Sequence, residues 1–255
     1  MAEGPVVHYY SRMLAKALKG RQVDIELGVR KLKAVEPSLR GIRITDVSPH
    51  GKQFRIRFSD GRILLVHLMM WGSWRIYRKG AKWDKPYQRA RVILRTDGHE
   101  AVAFSAPVVR VLTKAELENE PRWGNLGPDP LRTDFSEEEF FRRLDKHPER
   151  EIGEVIMDQQ VLAGIGNILK NEILFRAHVH PGRLVSKLST NEKQEILRWA
   201  KTLSRTWLEE IGKRKRNSWI SIYRKSGKPC PDCGHPIQFF RQAGRVTYAC
   251  PTCQK

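Results

Sequence analysis

Four cysteines near the end of the chain constrain its fold more than any other feature. They lie within the last 26 of 255 residues and form two C-x2-C pairs separated by 16 residues. Two such pairs bring four thiolates to one Zn²⁺ in tetrahedral geometry and leave no coordination position open, so the metal would be structural. The alternating apolar residues around Ala243-Gly244 predict a β-hairpin between the pairs. The expected ligands are Cys230, Cys233, Cys250 and Cys253.

The clustering of these cysteines favours a metal over disulfides, because a cytosolic chain keeps scattered thiols reduced. The alternative is an accidental cluster of free thiols. His235 lies beside the first pair. With four thiolates present, we expect it to be a loop residue and not a ligand.

The charge of the chain indicates a polyanionic partner. There are 47 lysines and arginines against 28 acidic residues, which gives a formal net charge of +19. Such a surplus raises the self-repulsion of the folded chain, and a nucleic acid is the simplest partner that would offset it. Charge alone does not separate DNA, RNA and the ribosome, and a basic protein without such a partner is the alternative.

The sequence contains no candidate for a membrane span. Its longest uninterrupted apolar runs, such as Ile63 to Val66, have the length of a strand, whereas a membrane helix needs roughly 18 apolar residues. The N-terminus lacks the basic and then apolar layout of a secretory signal. We therefore expect a cytoplasmic protein, associated with the nucleoid if it is bacterial, that does not bind membranes.

The periodicity of apolar residues predicts the order of helices and strands. Apolar residues recur at helical spacing from Pro5 to Lys19 and then alternate with polar ones as far as Phe104, which predicts a helix followed by a β-sandwich or barrel, of which we take the sandwich. Helical spacing returns over 151–162 and 165–177, and a longer helix is expected to start at Ser189.

These patterns divide the chain into four segments and give an α+β fold class. An N-terminal helix and a β-sandwich form the first domain, over 1–115. A segment rich in proline, glycine and charge follows as a linker over 116–133. A helical domain over 134–224 and the zinc-ribbon β-hairpin over 225–255 complete the chain.

Short motifs in separate parts of the chain resemble one protein family. They are Met1-Ala2-Glu3-Gly4-Pro5, Leu126-Gly127-Pro128-Asp129-Pro130-Leu131, Met157-Asp158-Gln159-Gln160, Ala163-Gly164-Ile165-Gly166-Asn167-Ile168, Asn171-Glu172-Ile173-Leu174-Phe175 and the ribbon from Gly244-Arg245 to Gln254. In this order, and across essentially the whole chain, they are similar to the Fpg/Nei (formamidopyrimidine-DNA glycosylase / endonuclease VIII) family. The resemblance implies that the helical domain is a helix–two-turns–helix DNA-binding domain and that the ribbon is a zinc finger.

The resemblance implies that the nucleophile is the amine exposed when Met1 is removed. That amine would belong to Ala2, and it would attack C1′ of the deoxyribose and form a Schiff base as the damaged base leaves. An α-amino group has a pKa of about 7.7–8.0, so roughly a tenth of it is neutral near pH 7, unlike a lysine side chain. Glu3 would protonate the sugar ring oxygen and shuttle protons. Lys52 would meet the sugar-phosphate beside the damaged nucleotide.

The sequence departs from the family at the nucleophile itself. Most members carry proline where this chain has Ala2. A proline iminium is cationic without holding a proton, whereas an alanine imine must stay protonated to act as an electron sink. We therefore predict base excision with slower strand cleavage, and loss of the nucleophile if Met1 is retained.

Other residues are assigned to DNA contacts by the same resemblance. Asn167 and Arg245 would bind the phosphates around the lesion. Gly164 and Gly166 are expected to leave backbone N–H groups bare at a helix start, which is a ready site for an anion. The alternative is that the two glycines only make a tight turn between packed helices.

The segment after His67 is the candidate for the wedge that fills the hole left by an everted nucleotide. It contains Met69, Met70 and Trp71, whose bulky apolar side chains suit intercalation. We expect Met70 to enter the base stack. The alternative is that two of the three side chains belong to the core.

The predicted function is that of a DNA glycosylase/AP lyase of base excision repair. It would excise oxidised bases through the Schiff base on Ala2 and then cut the strand by β(,δ)-elimination. Residues 104–110 and Glu3-Gly4-Pro5 look more like the Nei branch, so oxidised pyrimidines such as thymine glycol are the expected substrates. We expect one structural zinc, damaged DNA as partner, no small-molecule cofactor and a monomer.

Three alternatives stay open. Because of Ala2, the chain would be either a catalytically weak or inactive protein that binds damaged DNA or particular DNA structures, or a mainly monofunctional glycosylase that favours single-stranded or crosslinked DNA. A zinc-ribbon RNA or ribosome factor would explain the charge and the cysteines. It would leave Glu3, Lys52 and the 164–167 motif without a purpose.

Overall fold

The computed structural model describes residues 2–213 and 218–255, which form two compact units. The first unit comprises Ala2 and Val6–Asn125, and the second comprises Glu3–Pro5 and Leu126–Lys255. Met1, whose removal the resemblance implies, lies outside the described residues. Of the basic residues Lys213 to Arg216, only Lys213 is described. None of the helices in the described residues is long and apolar enough to cross a membrane.

The first unit is a β-sandwich preceded by a helix, as predicted. Two antiparallel sheets, in the orders β5-β7-β6-β1 and β2-β3-β4-β8, are joined where β1 pairs with the start of β2. A short helix, α2, follows the last strand. The elements are α1 (Gly4–Leu18), β1 (Gln22–Leu27), β2 (Ile42–His50), β3 (Gln53–Phe58), β4 (Ile63–His67), β5 (Ser73–Arg78), β6 (Ala90–Arg95), β7 (His99–Phe104), β8 (Val108–Leu112) and α2 (Lys114–Glu118).

The core of this unit follows from the two periodicities of the sequence. Val7, Leu14 and Leu18 lie on one face of α1 and are fully buried, because residues three, four and seven apart share a helix face. The alternating apolar residues of the strands meet them, and Phe54 and Trp74 pack with ring centroids 5.9 Å apart. The helix and strands therefore share one core.

The edge strand β8 was not predicted. It pairs with β4 and completes the second sheet. Its segment follows Pro107, and only Val109 in it is buried, so the alternation that marks the other strands is weak here. The helix α2 starts at a capping box on Thr113 and Glu116, and so extends into the segment predicted as linker.

In its described residues, the second unit contains four α-helices and a two-stranded hairpin. The longest helix starts at Ser189, as predicted, and the structure shows a capping box there: the Ser189 side chain accepts from Glu192 N, and the Glu192 side chain accepts from Ser189 N. The elements are α3 (Glu137–Leu144), α4 (Ile152–Val155), α5 (Asn167–Arg176), α6 (Thr190–Glu210), β9 (Gln238–Gln242) and β10 (Arg245–Ala249).

The helix expected over 151–162 is wrong in its extent. Only Ile152–Val155 is helical, and turns follow up to α5. The side chain of Gln159 stabilises these turns: its amide donates to Met157 O and Ile165 O, and its oxygen accepts from Gly164 N at 3.0 Å. A side chain that satisfies several backbone groups in this way replaces the bonds that a helix would provide.

Candidate functional site

Glu3, one of the predicted catalytic residues, is buried and bound by backbone groups. Its side chain is fully buried within the second unit. The carboxylate accepts the backbone N–H groups of Gly166 (3.1 Å), Ile168 (2.8 Å) and Leu169 (3.2 Å), at the start of α5. The first N–H groups of a helix have no partner within the helix, and its N-terminal dipole favours a negative charge. Glu3 is therefore fixed in position by the helix start.

The expectation that this helix start is bare and awaits a phosphate is wrong. Gly166 N donates to the Glu3 carboxylate, and Gly164 N donates to the side-chain oxygen of Gln159. The glycines permit this arrangement: a Cβ on Gly166 would lie 2.4 Å from Glu3 Cδ, and Gly164 has φ of +93°. Gly4 N also donates to Gly164 O at 2.9 Å. The glycines thus accommodate the start of the chain.

Ala2 and Lys52 lie in the first unit. Ala2 is half-buried, and its side chain packs against the core of the sandwich. Lys52 is half-buried in the two-residue turn between β2 and β3, where Gly51 has φ of +55°. Beside the turn, Gln53 is buried and donates to Trp123 O at 3.0 Å, and Arg55 donates to the same oxygen at 3.2 Å. These bonds fix the start of β3, next to the turn that carries Lys52.

The candidate wedge residues lie in a tight loop between β4 and β5. Met69 has φ of +49° and packs against a small apolar cluster, and its N–H donates to His67 Nδ1 at 3.0 Å. Met70 and Trp71 are 58% and 77% exposed. A Cβ on Gly72 would lie 2.8 Å from Leu68 O, so the loop closes only with glycine there. Met70 and Trp71 are therefore the side chains presented to solvent.

His67 must be neutral to hold this loop, because a protonated Nδ1 would no longer accept the Met69 N–H. Burial, together with the positive charges of Lys52 and Arg122, lowers the pKa of His67 to about 4. The ring also packs against Trp123, with centroids 5.3 Å apart and the ring planes inclined by 50°. The imidazole is thus held uncharged over the pH range in which DNA is stable.

We expect the free energy of unfolding to fall as the pH falls from 6.5 to 4, and His67→Gln to remove that part of the loss. Within this range the unfolded chain binds a proton that folded His67 does not, so the contribution is up to about 3 kcal/mol. Urea denaturation at both pH values measures it, with His147→Gln as a control in the other unit. An identical pH dependence in wild type and His67→Gln would show that His67 does not titrate in this way.

A polar stripe on α5 binds the strand β10. Asn167, Lys170 and Asn171 are three and four residues apart and therefore share one face of the helix. All three are buried. Their partners are three consecutive residues of β10, so the stripe fixes the strand in register. The bonds are Asn167 Nδ2 to Val246 O (2.9 Å), Lys170 Nζ to Thr247 Oγ1 (2.6 Å) and Tyr248 N to Asn171 Oδ1 (2.6 Å).

Lys170 was missed by the sequence analysis. Burial and the charge of Arg245 lower its pKa, Glu3 and Glu154 raise it, and the net result is a pKa of about 8. Its charge thus acts on both Glu3 and Arg245. The signal that would have found it is the spacing itself, since a lysine that shares one helix face with two asparagines, on a helix whose apolar residues predict burial, needs a polar partner.

The structure places the two predicted phosphate ligands differently. Asn167 is only 6% exposed, and its Oδ1 is buried without a hydrogen-bond partner among the described residues. An amide oxygen cannot donate to a phosphate, so only its second N–H would be available for that contact. Arg245 is exposed at the start of β10, after a turn in which Ala243 and Gly244 have φ of +45° and +74°. Two positive φ values are typical of a type I′ hairpin.

The four cysteines fit one tetrahedral zinc ion. Their Sγ atoms lie within 4.8 Å of one another. Cys230 and Cys253 are separated by 3.8 Å and Cys233 and Cys250 by 3.5 Å between Sγ atoms, close to the ~3.8 Å edge of a tetrahedron with Zn–S bonds of about 2.3 Å. Gln254 accepts from Cys250 N and donates to Val179 O, at 2.9 Å each. His235 is exposed and is not part of the cluster.

Three family models match the chain in succession. Residues 1–108 match the N-terminal domain of formamidopyrimidine-DNA glycosylase, and residues 126–215 match the H2TH domain of the same enzymes. Residues 227–255 match a zinc finger found in FPG and IleRS. The matches therefore include the helical segment that binds Glu3 and the cysteine cluster.

Curated relatives match over the whole length. A probable endonuclease 8 2 of Streptomyces coelicolor is 34% identical, over 100% of this chain and 94% of that one. A formamidopyrimidine-DNA glycosylase of Methylococcus capsulatus is 31% identical over 100% of both chains. Among solved structures, the Lactococcus lactis Fpg in complex with abasic-site DNA has a TM-score of 0.84 over 100% of both chains, at 24% identity. That structural likeness shows a shared fold.

Proposed function

Because this chain belongs to the Fpg/Nei family of DNA glycosylases, we propose that it excises oxidised bases from DNA and then cleaves the strand, using the N-terminal amine of Ala2. The observation that carries the proposal is the burial of Glu3 on the start of α5. A carboxylate fixed next to the chain's first amine supplies the acid/base group that glycosidic cleavage needs. A glutamate on the surface would be solvated by water, whereas the buried carboxylate of Glu3 accepts three backbone N–H groups.

The proposed reaction begins with nucleophilic attack by the neutral amine of Ala2. Its lone pair forms the bond to C1′ as the N-glycosidic bond breaks, and the electron pair of that bond leaves with the base, which takes up a proton. Glu3 takes the proton that the Ala2 nitrogen loses after attack and transfers it to the ring oxygen, as the C1′–O bond breaks and the protonated C1′ imine forms. The Glu3 carboxylate then takes the C2′ proton, and the electrons of the C2′–H bond move into the protonated imine to give an enamine. The enamine expels the phosphate from C3′ with the electrons of its C–O bond.

Each unit contributes its own contacts to DNA in this proposal. In the first unit, Lys52 binds the sugar-phosphate beside the lesion, and Met70 and Trp71, with Met69 at the base of their loop, fill the space left by the everted nucleotide. In the second unit, Arg245 binds a phosphate, and Asn167 adds its free N–H. The half-buried turn around Lys52 and the exposure of Met70 and Trp71 support these roles.

Oxidised pyrimidines are the substrates we propose. The support is the Nei-like segment 104–110 and the 34% identity to a probable endonuclease 8 2. Relatives named formamidopyrimidine-DNA glycosylase match at 27–31% identity, so the relatives carry both names. We further propose that the protein acts as a monomer without a small-molecule cofactor, in the cytoplasm where the chromosome of a bacterium lies.

Borohydride trapping tests the nucleophile. We expect the wild-type chain to form a covalent adduct with an abasic-site oligonucleotide, because borohydride reduces the Schiff base to a stable amine. Acetylation of the N-terminus should abolish the adduct. Ala2→Pro should retain the adduct and speed strand cleavage severalfold, because a proline iminium keeps its charge at any pH. Gel analysis of adduct and cleaved strand measures both.

Mass spectrometry of the N-terminus is the control for this experiment. It establishes whether Met1 has been removed in the preparation that is tested. A chain that lacks Met1 and still gives no adduct, and leaves lesion DNA intact, would contradict the proposed chemistry. The protein would then be a non-catalytic DNA-binding protein.

Arg245→Ala tests the phosphate contact of the zinc ribbon. We expect weaker binding to all lesions alike, with the slope of log K against log salt reduced by about one, because one phosphate contact is lost. Lys146→Ala removes an exposed cation after α3 and serves as the matched control. Fluorescence anisotropy over a salt series measures the slopes, and an unchanged slope in Arg245→Ala would exclude the contact.

A further inference from the structure

Three aromatic rings form a stack on the first unit, outside the residues assigned to excision. Trp83 lies between Tyr77 and Tyr87, with ring centroids 5.9 and 6.0 Å apart and planes inclined by 17° and 16°. Both tyrosine hydroxyls donate to carboxylates, that of Tyr77 to Asp84 and that of Tyr87 to Glu26. The rings are therefore held in a fixed orientation.

Packing explains only the inner part of this stack. Tyr77 and Trp83 cover an apolar cluster on the β5-β7-β6-β1 sheet, where Trp83 lies edge-on to Phe104 and donates to Glu100 at 2.9 Å. Tyr87 is not part of that cover and is 55% exposed. A ring that extends a stack into solvent buries little apolar surface, so the core gains little from it.

The segment that carries the stack has a large positive surplus. Residues 75–91 contain seven lysines and arginines and one acid. The neighbouring carboxylates are neutralised, because Arg75 pairs with Asp84 and Arg95 pairs with both Glu26 and Glu100. Five exposed cations have no ion pair among the residues that the structure describes. They are Arg78, Lys79, Lys82, Arg89 and Arg91.

We propose that the stack and these five cations, here called the aromatic strip, form a second DNA-binding surface that takes an unpaired strand. A base would stack on Tyr87, and the flanking phosphates would pair with the cations. This combination is what binding to single strands requires, because every base offers a flat face and every linkage a charge. Bases in a duplex are already stacked on each other and cannot accept the ring. An acidic protein would use the cations but not the ring face.

Photocrosslinking locates the contact directly. The probe is an undamaged oligothymidylate that carries one 5-iododeoxyuridine, mixed with the zinc-loaded full-length protein. We expect crosslinks in the peptide from Trp83 to Arg89, which contains the central ring of the stack and its exposed outer ring, Tyr87. Because the probe has no lesion and the strip contains no residue proposed for excision, the result does not depend on the proposed function. Crosslinks that map only to other segments would overturn the proposal.

The affinity of Tyr87 variants tests the stacking. Tyr87→Ala should bind the single strand about tenfold more weakly, a typical loss for one base–aromatic stack. Tyr87→Phe keeps the ring and loses only the bond to Glu26, so it should bind like wild type. Binding to an undamaged duplex should be the same in both variants. Equal affinity of Tyr87→Ala and wild type for the single strand would overturn the proposal, as would an equal loss on duplex.

A charge variant keeps the test decisive if removal of the ring disturbs the fold. Replacing Lys79 and Lys82 by glutamine should reduce the salt slope of single-strand binding by about 1.4, since each contact to a single strand contributes about 0.7. The matched control replaces Arg12 and Lys16, two exposed cations on α1. Equal slopes in the two double variants would overturn the proposal, and so would binding of an RNA strand in preference to DNA.

Discussion

Glu3→Gln should lower the rate of base excision by roughly 10²- to 10⁴-fold, the range that general acid–base catalysis contributes. The amide has the size of the carboxylate but neither gives nor takes a proton at neutral pH. Binding to a duplex with an abasic-site analogue should stay close to wild type, because Glu3 is not proposed to contact phosphate. Single-turnover excision and anisotropy measure the two effects. Excision at the wild-type rate would remove Glu3 from the mechanism.

The structure provides a second variant that tests the position of Glu3 separately from its chemistry. Gly166→Ala leaves the carboxylate intact, but its Cβ would lie 2.4 Å from Glu3 Cδ and must displace it. We therefore expect a large loss of excision in Gly166→Ala as well. Gly98→Ala is the matched control, since a Cβ there would meet no atom within 4 Å. A Gly166→Ala protein that excises like Gly98→Ala would show that the helix start does not position Glu3.

Cys250→Ser should remove the bound zinc and unfold the hairpin. DNA binding should weaken roughly 10- to 100-fold, which corresponds to the free energy of one or two hydrogen bonds to charged groups. Cys230 and Cys250 are buried in one cluster with Phe175, Ile222 and Ile237, so the ligands are themselves part of the core. Structural zinc contributes about 10–16 kcal/mol of apparent binding free energy in zinc-finger peptides. The packing of a small hairpin does not provide a comparable free energy, so the hairpin should unfold without the metal. The loss of β10 would also free the α5 stripe and displace Arg245.

A colorimetric assay of zinc released on denaturation, together with anisotropy on lesion DNA, measures this effect. His235→Ala is the matched control, because His235 lies beside the first cysteine pair but is exposed and outside the cluster. It should retain one zinc per chain and the wild-type affinity. A Cys250→Ser protein with one tightly bound zinc and unchanged affinity would show that the site is not a four-thiolate centre.

Local patterns in the sequence predicted much of the fold correctly. The cysteine spacing gave the zinc ribbon, and Ala243-Gly244 gave the two-residue turn of its hairpin, because both depend on residues close together in the chain. The alternation of apolar residues predicted most strands of the sandwich, and the helical spacing that begins at Ser189 predicted the start of α6. Spacing within a few residues determines each of these features.

The prediction of one helix over 151–162 was wrong because the spacing of apolar residues carries no information about hydrogen bonds from side chains to the backbone. The apolar residues there do recur at helical spacing. Beyond Val155, however, the segment forms turns, and the Gln159 side chain bonds to backbone carbonyl groups within them. The strand β8 was missed for a related reason. An edge strand buries few residues, so it leaves a weak alternation in the sequence.

The sequence by itself determined the zinc ribbon, the α+β organisation and, through the resemblance, the family, because these follow from local spacing and motif order. Only the tertiary structure decided that Glu3 is buried on the start of α5, that Gly166 makes room for it, and that Lys170 bonds to Thr247. Each of these contacts joins residues far apart in the chain. Their free energy comes from burying polar groups against particular partners, which no pattern along one segment encodes.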